Sequence, residues 1–378
     1  MTIIDRYLLR QFLKTFAICY VSLAGLYIVF DAFTNLEEFL RCAEECGGLW
    51  RLLGTFYGYR SILFFDRTAG LLTLVAGMFT ITWIQRHNEL TALLSAGVAR
   101  PRVVAPIVAA AVAIAVLATL NRELVIPQIR DELGRKPRDL LGDQAQPMHP
   151  RYDNQTDVLL RGKHTYRAEE RISKPSFLLP SALAEYGTQL TAEDAYYRPP
   201  SGGRPGGYLL RGVEQPGGLD ERPSLSLGDR RVLITPRDEP QWLGPGECFL
   251  VSEVTFDQLT GGRAFREFSS TAQLIAGLRN QAMAFGADLR VAIHARFVQP
   301  FLDLTLFFLG FPLVAGRGNR NVFLAIGLCL AVVTVFVLVT LGLKHLGAIY
   351  LLDAALAAWA PLMLFVPLAV WQSESLWR

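Results

Sequence analysis

Long runs without a charged residue mark both ends of the chain. Uncharged stretches cover residues 15–30, 68–85, 103–121, 321–343 and 354–373, and a sixth, 297–316, holds a single Asp among apolar neighbours. Each approaches or reaches the roughly 20 residues that a helix needs to cross a hydrocarbon core. Three runs lie in the first third and three at the end. The roughly 175 residues between them follow a different rule. Apolar residues there come in short alternating runs, as in DVLLRGKHTYRAE, RRVLITP and ECFLVSEVTFDQL, separated by turn-formers; a period of two predicts strands. YYRPPSGGRPGGYLL is a turn cluster through which no helix runs. Strands this short and this closely spaced suggest a sandwich, a jelly roll or an open barrel. In SSTAQLIAGLRN the period becomes helical, with Ser269, Ser270 or Thr271 available as N-cap.

The expected fold class is therefore an α-helical polytopic membrane protein with six transmembrane helices, three and three, and an inserted extracytoplasmic all-β domain built as a sandwich, a jelly roll or an open barrel. Residues 1–121 hold helices one to three, 122–290 the β domain with a helical return segment, and 291–378 helices four to six. Composition agrees: 51% of the 378 residues are hydrophobic and the mean hydropathy is +0.29, above the usual range of soluble domains.

Orientation is read from the short connections, because Lys and Arg stay on the cytoplasmic side. An inside N-terminus places Arg6, Arg10, Lys14, Arg86, Arg100, Arg102, Arg317, Arg320 and Arg378 inside. The opposite side then carries Glu37, Glu38, Glu44 and Glu45 with Arg41, Arg51 and Arg60, and only Lys344 in the last hairpin. Both termini are expected in the cytoplasm and the central domain outside, beyond the third span. The first apolar run is long and shows no small-residue cleavage site near its end, so it reads as a retained span.

Candidate chemistry is sparse. There is no G-x-x-x-x-G-K-[ST], no H-E-x-x-H and no G-x-S-x-G, and GRGNRN at 316–321 reads as a basic turn. Neither an enzyme nor a nucleic-acid binder is expected. None of the five His has zinc-type spacing with Cys or another His, so no metal or cofactor is expected. Cys19 and Cys329 fall in spans, Cys248 stands alone in the β domain, and Cys42 and Cys46 are four apart. A helix would hold that last pair poorly for a disulfide. Three ionisable residues fall within or at the edge of spans, Asp66, Arg67 and Asp303. A charge near the bilayer centre costs about 2.5–3.5 kcal/mol and normally faces protein or water. Asp66 and Arg67 could pair with each other, and Asp303 could serve as interhelical glue; alternatively all three line the wet part of a lipid cavity.

Between the second and third runs, QRHNELTALLSAGVARPR places Leu90, Leu93, Leu94 and Gly97 at i, i+3, i+4 and i+7, a narrow apolar stripe on a short helix. Gly97 can close that helix and Pro101 open the next. Such a helix can rest on lipid or dock a partner; the small residues Ala92, Ala96 and Gly97 beside Glu89 suit close packing against protein. In a docked helix the leucines supply apolar contact and Glu89 sets the register by meeting an Arg of the partner. Glu89 could instead pair within the helix with Arg86, at i−3.

Three stretches, DRYLLRQFLKTF, RHNELTALLSAG and RFVQPFLDLTLFFLGFPLVAGR, resemble the LptF/LptG (YjgP/YjgQ) permeases of lipopolysaccharide transport, and the resemblance extends over essentially the whole chain. It implies a periplasmic β-jellyroll, a pair of such permeases around a lipid cavity, and an LptB-like cytoplasmic ABC ATPase beneath. It further implies a hand-off of lipid to an LptC/LptA-like jellyroll bridge. Arg86, Glu89, Leu90, Leu93, Leu94, Gly97 and Arg100 would then form the ATPase-coupling helix, and Phe30, Asp31, Asp66, Arg67 and Asp303 would be candidates for the lipid cavity. Some family members carry Lys near the outer end of the first span; IVFDAFTNLEEFL here offers Asp31, Glu37 and Glu38, so the cargo implied is lipopolysaccharide or a related glycolipid. In the β domain, Phe249, Val251, Val254 and Phe256 must face a packed core or a lipid groove. Two other classes make different demands. A secondary lipid transporter would show an internal repeat with interrupted helices, which the two halves lack, and a membrane-anchored sensor or scaffold would not need six spans.

Overall fold

The computed structural model describes residues 3–43, 48–135, 145–148, 150–202, 204–228, 230–260, 262–279, 286–315 and 322–377. In chain order the helices are α1 (Ile3–Thr34), α2 (Leu36–Ala43), α3 (Leu49–Arg86), α4 (Glu89–Ser95), α5 (Arg100–Leu120), α6 (Ile126–Gln128) and α7 (Arg130–Gly134). Eleven strands come next: β1 (Gln146–Pro147), β2 (Arg151–Asp153), β3 (Val158–Leu160), β4 (His164–Tyr166), β5 (Arg171–Ser173), β6 (Ser176–Leu178), β7 (Gln189–Arg198), β8 (Gly207–Gln215), β9 (Leu225–Leu227), β10 (Arg230–Ile234) and β11 (Glu247–Val251). The chain ends with α8 (Phe256–Thr260), α9 (Gly262–Phe268), α10 (Thr271–Arg279), α11 (Ala287–Ala315), α12 (Val322–Ala348) and α13 (Ala354–Trp377). It separates into two compact units, residues 1–133 with 286–378, and residues 134–285.

In the first unit, α1, α3, α5 with its continuation to Gln128, α11, α12 and α13 are long and apolar enough to cross a membrane. The helix containing the second run starts at Leu49, well before the uncharged stretch, because Arg51 and Arg60 sit on a helix whose other positions are mostly apolar. Apolar burial drives no helix pairing where lipid is the solvent; close packing does. Gly77 of α3 lies against the rings of Phe307 and Phe311, and Gly310 of α11 against Leu74 and Cys329. These small residues bring α3 and α11 together at the centre of a core that also holds Ile107, Ile114, Leu302, Phe336 and Phe365.

All strand pairs in the second unit are antiparallel, in the order β1-β4-β5-β7-β8-β11-β10-β9 with a branch β2-β3-β6-β7. The sheet forks at β7, whose first residues pair with β6 (Gln189↔Leu178, Thr191↔Ser176) and whose later ones pair with β5 (Asp194↔Ser173, Tyr196↔Arg171). The period of two puts alternate residues on opposite faces. Tyr208, Leu210, Cys248 and Leu250 therefore enter one core with Val158, Ile172, Phe177 and Leu190, while Leu209 and Phe249 enter another with Ile234 and Leu243. Burial pushes the Cys248 thiol well above its ordinary range, which leaves it an inert core residue.

Strand β11 stops at Val251, earlier than the alternating run in the sequence. Thr255 and Gln258 form a reciprocal cap: the Gln258 amide donates to Thr255 Oγ1 at 3.3 Å, and the Thr255 amide to Gln258 Oε1 at 3.0 Å. This capping box opens α8, so Val254 lies in the turn and Phe256 in a helix. The same device opens α10 and selects Ser270 among its three candidate caps, with Gln273 as partner at 2.9 and 3.2 Å.

Candidate functional site

At the end of the helical unit that carries the N-terminus, the chain reverses twice around α4. Asn88 takes a left-handed conformation, φ 58°, and separates α3 from α4; Asn tolerates that region better than most residues. At the other end Gly97 has φ 82°. Its amide donates to Leu94 O and that of Val98 to Leu93 O, both at 3.0 Å, the two bonds of a Schellman closure. Pro101 follows in the first turn of α5.

The apolar stripe of α4 faces inward. Leu90 and Leu93 pack with Ile4 and Val98 against Leu8 of α1, Ile84 of α3 and Val103 of α5, and the last three are fully buried. Leu94 is half-buried. The leucines thus hold α4 on its own chain rather than presenting a contact surface. The face left exposed is the small one, with Thr91, Ala92, Ser95, Ala96 and Gly97. Arg86 and Arg100 are exposed beside it. Glu89 does not pair with Arg86: its carboxylate accepts a hydrogen bond from the Tyr7 hydroxyl, at 2.9 Å to Oε2 and 3.2 Å to Oε1. Arg102 of α5 approaches Asp5 of α1 at 4.0 Å, so the start of α1 has polar ties to both α4 and α5.

At the opposite end, where the sheet domain is inserted, polar side chains form a belt. Asp66 is paired with Arg122, not with its neighbour Arg67: Nε lies 3.1 Å from both carboxylate oxygens and Nη2 2.9 Å from Oδ2. Arg67 is exposed. Arg122 belongs to a π turn, Asn121–Val125, that continues α5; such wide turns frequently accompany function. Asn121 donates to Ile62 O at 3.1 Å, and Glu123 approaches Arg296 of α11 at 4.0 Å. Asp303 accepts from Gln299 Nε2 at 2.9 Å, and Lys344 of α12 donates to Gln299 Oε1 at 3.4 Å. The Asp303 carboxyl sits over Gly70 of α3, where a Cβ would come within 2.5 Å of Oδ1. Asp31 of α1 accepts from the Tyr57 hydroxyl at 2.8 Å, while the neighbouring Phe30 ring is exposed.

Of the five cavity candidates, Asp66 and Asp303 thus join the belt, and Asp31 and Phe30 lie on α1. A cavity of about 470 Å³ lies elsewhere, between α11 and α13. Its lining is mostly apolar, including Phe301, Phe308, Trp359, Leu362 and Val366, and none of the five candidates touches it. In the sheet domain, Phe249, Val254 and Phe256 are at most 2% exposed within packed cores; only Val251 is half-buried. The structure therefore shows three of the four as core: Phe249 is packed on β11, while Val254 and Phe256 lie beyond the strand, in the connection and in α8, and enter the main core of the domain. Cys42 is a buried free thiol, and Cys46 and the GRGNRN turn lie outside the described residues.

Tyr7, Arg122, Arg296 and Lys344 are the polar partners that a reading of separate segments misses. Asp66 stands just before the second uncharged run and Arg122 just after the third. Two antiparallel spans put those positions at one depth, which is the signal that pairs them.

Among the described residues, six apolar helices with an antiparallel sheet domain inserted between the third and fourth define a polytopic helical membrane protein. The chain matches the family described as lipopolysaccharide export system permease LptF/LptG over residues 6–177 and 225–375, and it belongs to that family. A comparison with curated proteins finds no match. Family membership makes it a multi-pass inner-membrane protein of a transport-permease family.

Proposed function

We propose that this chain is one permease subunit of an ATP-binding-cassette transporter, working with a second LptF/LptG-like permease and a separate cytoplasmic LptB-like ATPase. It extracts lipopolysaccharide or a related glycolipid from the inner membrane and passes it to a periplasmic jellyroll bridge of the LptC/LptA kind. Its termini lie in the cytoplasm and its sheet domain in the periplasm. The orientation is supported by Arg6, Arg10, Arg86, Arg100 and Arg102, all exposed at the N-terminal end, since such residues stay inside.

The observation that carries this reading is α4, a short helix between two spans with a small-residue face exposed and a carboxylate at its first position. Small residues let a partner helix or groove approach closely, and a charged hydrogen bond fixes register where apolar contact does not. Substituting Glu89→Lys should abolish coupled transport and release the ATPase while the chain stays folded and inserted. Normal transport with undiminished ATPase retention would remove α4 as the coupling helix.

The spans with the least buried surface are α1 and α12. Their exposed apolar side chains, among them Val21, Leu26, Phe30, Leu330 and Leu338, support these two as the faces that meet the second permease and the lipid. Phe30 and Asp31 stand on α1, and Asp66 and Arg67 of α3 with Asp303 of α11 supply the polar upper part of the lipid path. Cysteine labelling that found all of these positions closed to aqueous reagents in every nucleotide state would remove them from the lipid path.

A further inference from the structure

We propose that Tyr7 is a positioning residue for Glu89: its hydroxyl sets the plane of the carboxylate that the ATPase engages. The inference rests on the coupling role given to α4 above and deepens it.

A helix of seven residues has too few internal hydrogen bonds to hold itself, so the orientation of α4 comes from its seat. Leu90 and Leu93 supply that seat by packing against Leu8, Ile84 and Val103, which fixes the helix axis. It does not fix the Glu89 side chain, which has three rotatable bonds and stands at the exposed start of the helix. Tyr7 does so from a distance of 82 residues in sequence. The backbone beneath it is anchored, because the next residue, Leu8, is fully buried in the same cluster. From there the hydroxyl reaches both carboxylate oxygens, at 2.9 and 3.2 Å.

The chemical type of the partner decides what this contact is for. A carboxylate has about four lone-pair sites, and one O–H lying between its oxygens leaves the outer ones free. A neutral donor orients the group without cancelling its charge. Arg86, one turn earlier and exposed, would have cancelled it, and the structure uses the phenol instead. A guanidinium arriving from a partner then meets a carboxylate already held in one plane, and the ordering that would otherwise weaken docking is already done.

The test uses the full-length chain with its second permease in lipid nanodiscs and the ATPase that co-purifies with the wild type. Binding of that ATPase is measured for the wild type, Tyr7→Phe, Glu89→Gln and the double variant. Phe keeps the ring and removes only the hydroxyl. We expect Tyr7→Phe to weaken binding about two- to tenfold, to slow coupled transport in parallel, and to leave the melting temperature unchanged. In the Glu89→Gln background it should add nothing, because a residue acting through another is non-additive with it. Unchanged binding in Tyr7→Phe, or an effect that adds in full to that of Glu89→Gln, overturns the proposal while the coupling role of α4 stands. Wild-type binding in Glu89→Gln removes that coupling role itself, and the role of Tyr7 with it.

Discussion

The two ends of the helical unit are held by opposite means. Where the N-terminus lies, α1, α3, α4 and α5 are joined by an apolar cluster around Leu8, Ile84 and Val103, and the polar contact between Tyr7 and Glu89 is exposed. Where the sheet domain is inserted, α3, α5, α11 and α12 are joined through a belt that runs from Asp66 and Arg122 to Asp303 and Lys344, much of it out of contact with solvent. A polar group that is buried and paired is costly to disturb, because removing one member strands the other. An exposed one exchanges its partner at little cost. The belt thus suits a fixed frame, and the N-terminal end suits a contact that is made and remade.

Breaking the belt should produce the largest loss. The Asp66 side chain is 8% exposed and that of Arg122 22%, so Asp66→Ala leaves a guanidinium largely buried and should cost about 3–5 kcal/mol. Thermal unfolding in detergent measures it, and the apolar double variant Asp66→Leu/Arg122→Met should recover most of the loss. Failure of the double variant to recover would mean that the belt also fixes helix register.

Next in size is the apolar clasp. Leu8→Ala opens a cavity in the small cluster and should cost about 2–4 kcal/mol, with the melting point of the chain and the retention of the ATPase falling together. A drop in ATPase retention alone would place Leu8 on the docking surface instead.

Gly70→Ala sharpens the comparison from the belt side. The new methyl would meet the Asp303 carboxyl, and the overpacking should cost about 1–3 kcal/mol. The control is Gly58→Ala on the same helix, where a Cβ meets nothing within 4 Å; relief of the glycine penalty should there stabilise by about 0.5–1 kcal/mol. Equal melting shifts in the two variants would show that Asp303 yields freely.

Smallest of all on the stability scale is Glu89→Gln, expected within about 0.5 kcal/mol of the wild type, although its effect on ATPase binding is large. A substantial fall in melting temperature would move Glu89 from the docking contact to the frame.

Legibility in the sequence divides along the same line. Spans are legible because the bilayer excludes charge residue by residue, so uncharged runs announce them without reference to any partner. The closure at Gly97 is equally local. Pairings are not local: Asp66 looks as though it answers to Arg67, its neighbour, yet on a helix adjacent residues diverge and the partner comes from another span. The leucine stripe of α4 is visible, but nothing in its period tells whether such a stripe faces a partner or the chain's own α1. In the sheet domain the alternating pattern runs on past Val251 to Phe256, and only the Thr255 and Gln258 capping box, four letters of sequence, marks where extended chain gives way to helix.

The π turn at Asn121–Val125 carries one residue more than an α-turn would. Its wide loop absorbs that residue without rotating the helix beyond it, so Ala118 before it and Ile126 after it both remain buried. Consecutive side chains inside it, Arg122 and Glu123, reach two different neighbours, α3 and α11. Deleting one residue there would heal the helix into regular α form and leave the outer spans in phase, with a single charged partner lost. The turn is in that sense an editable splice in an otherwise continuous rod, a place where the length of the chain can change while the frame keeps its alignment.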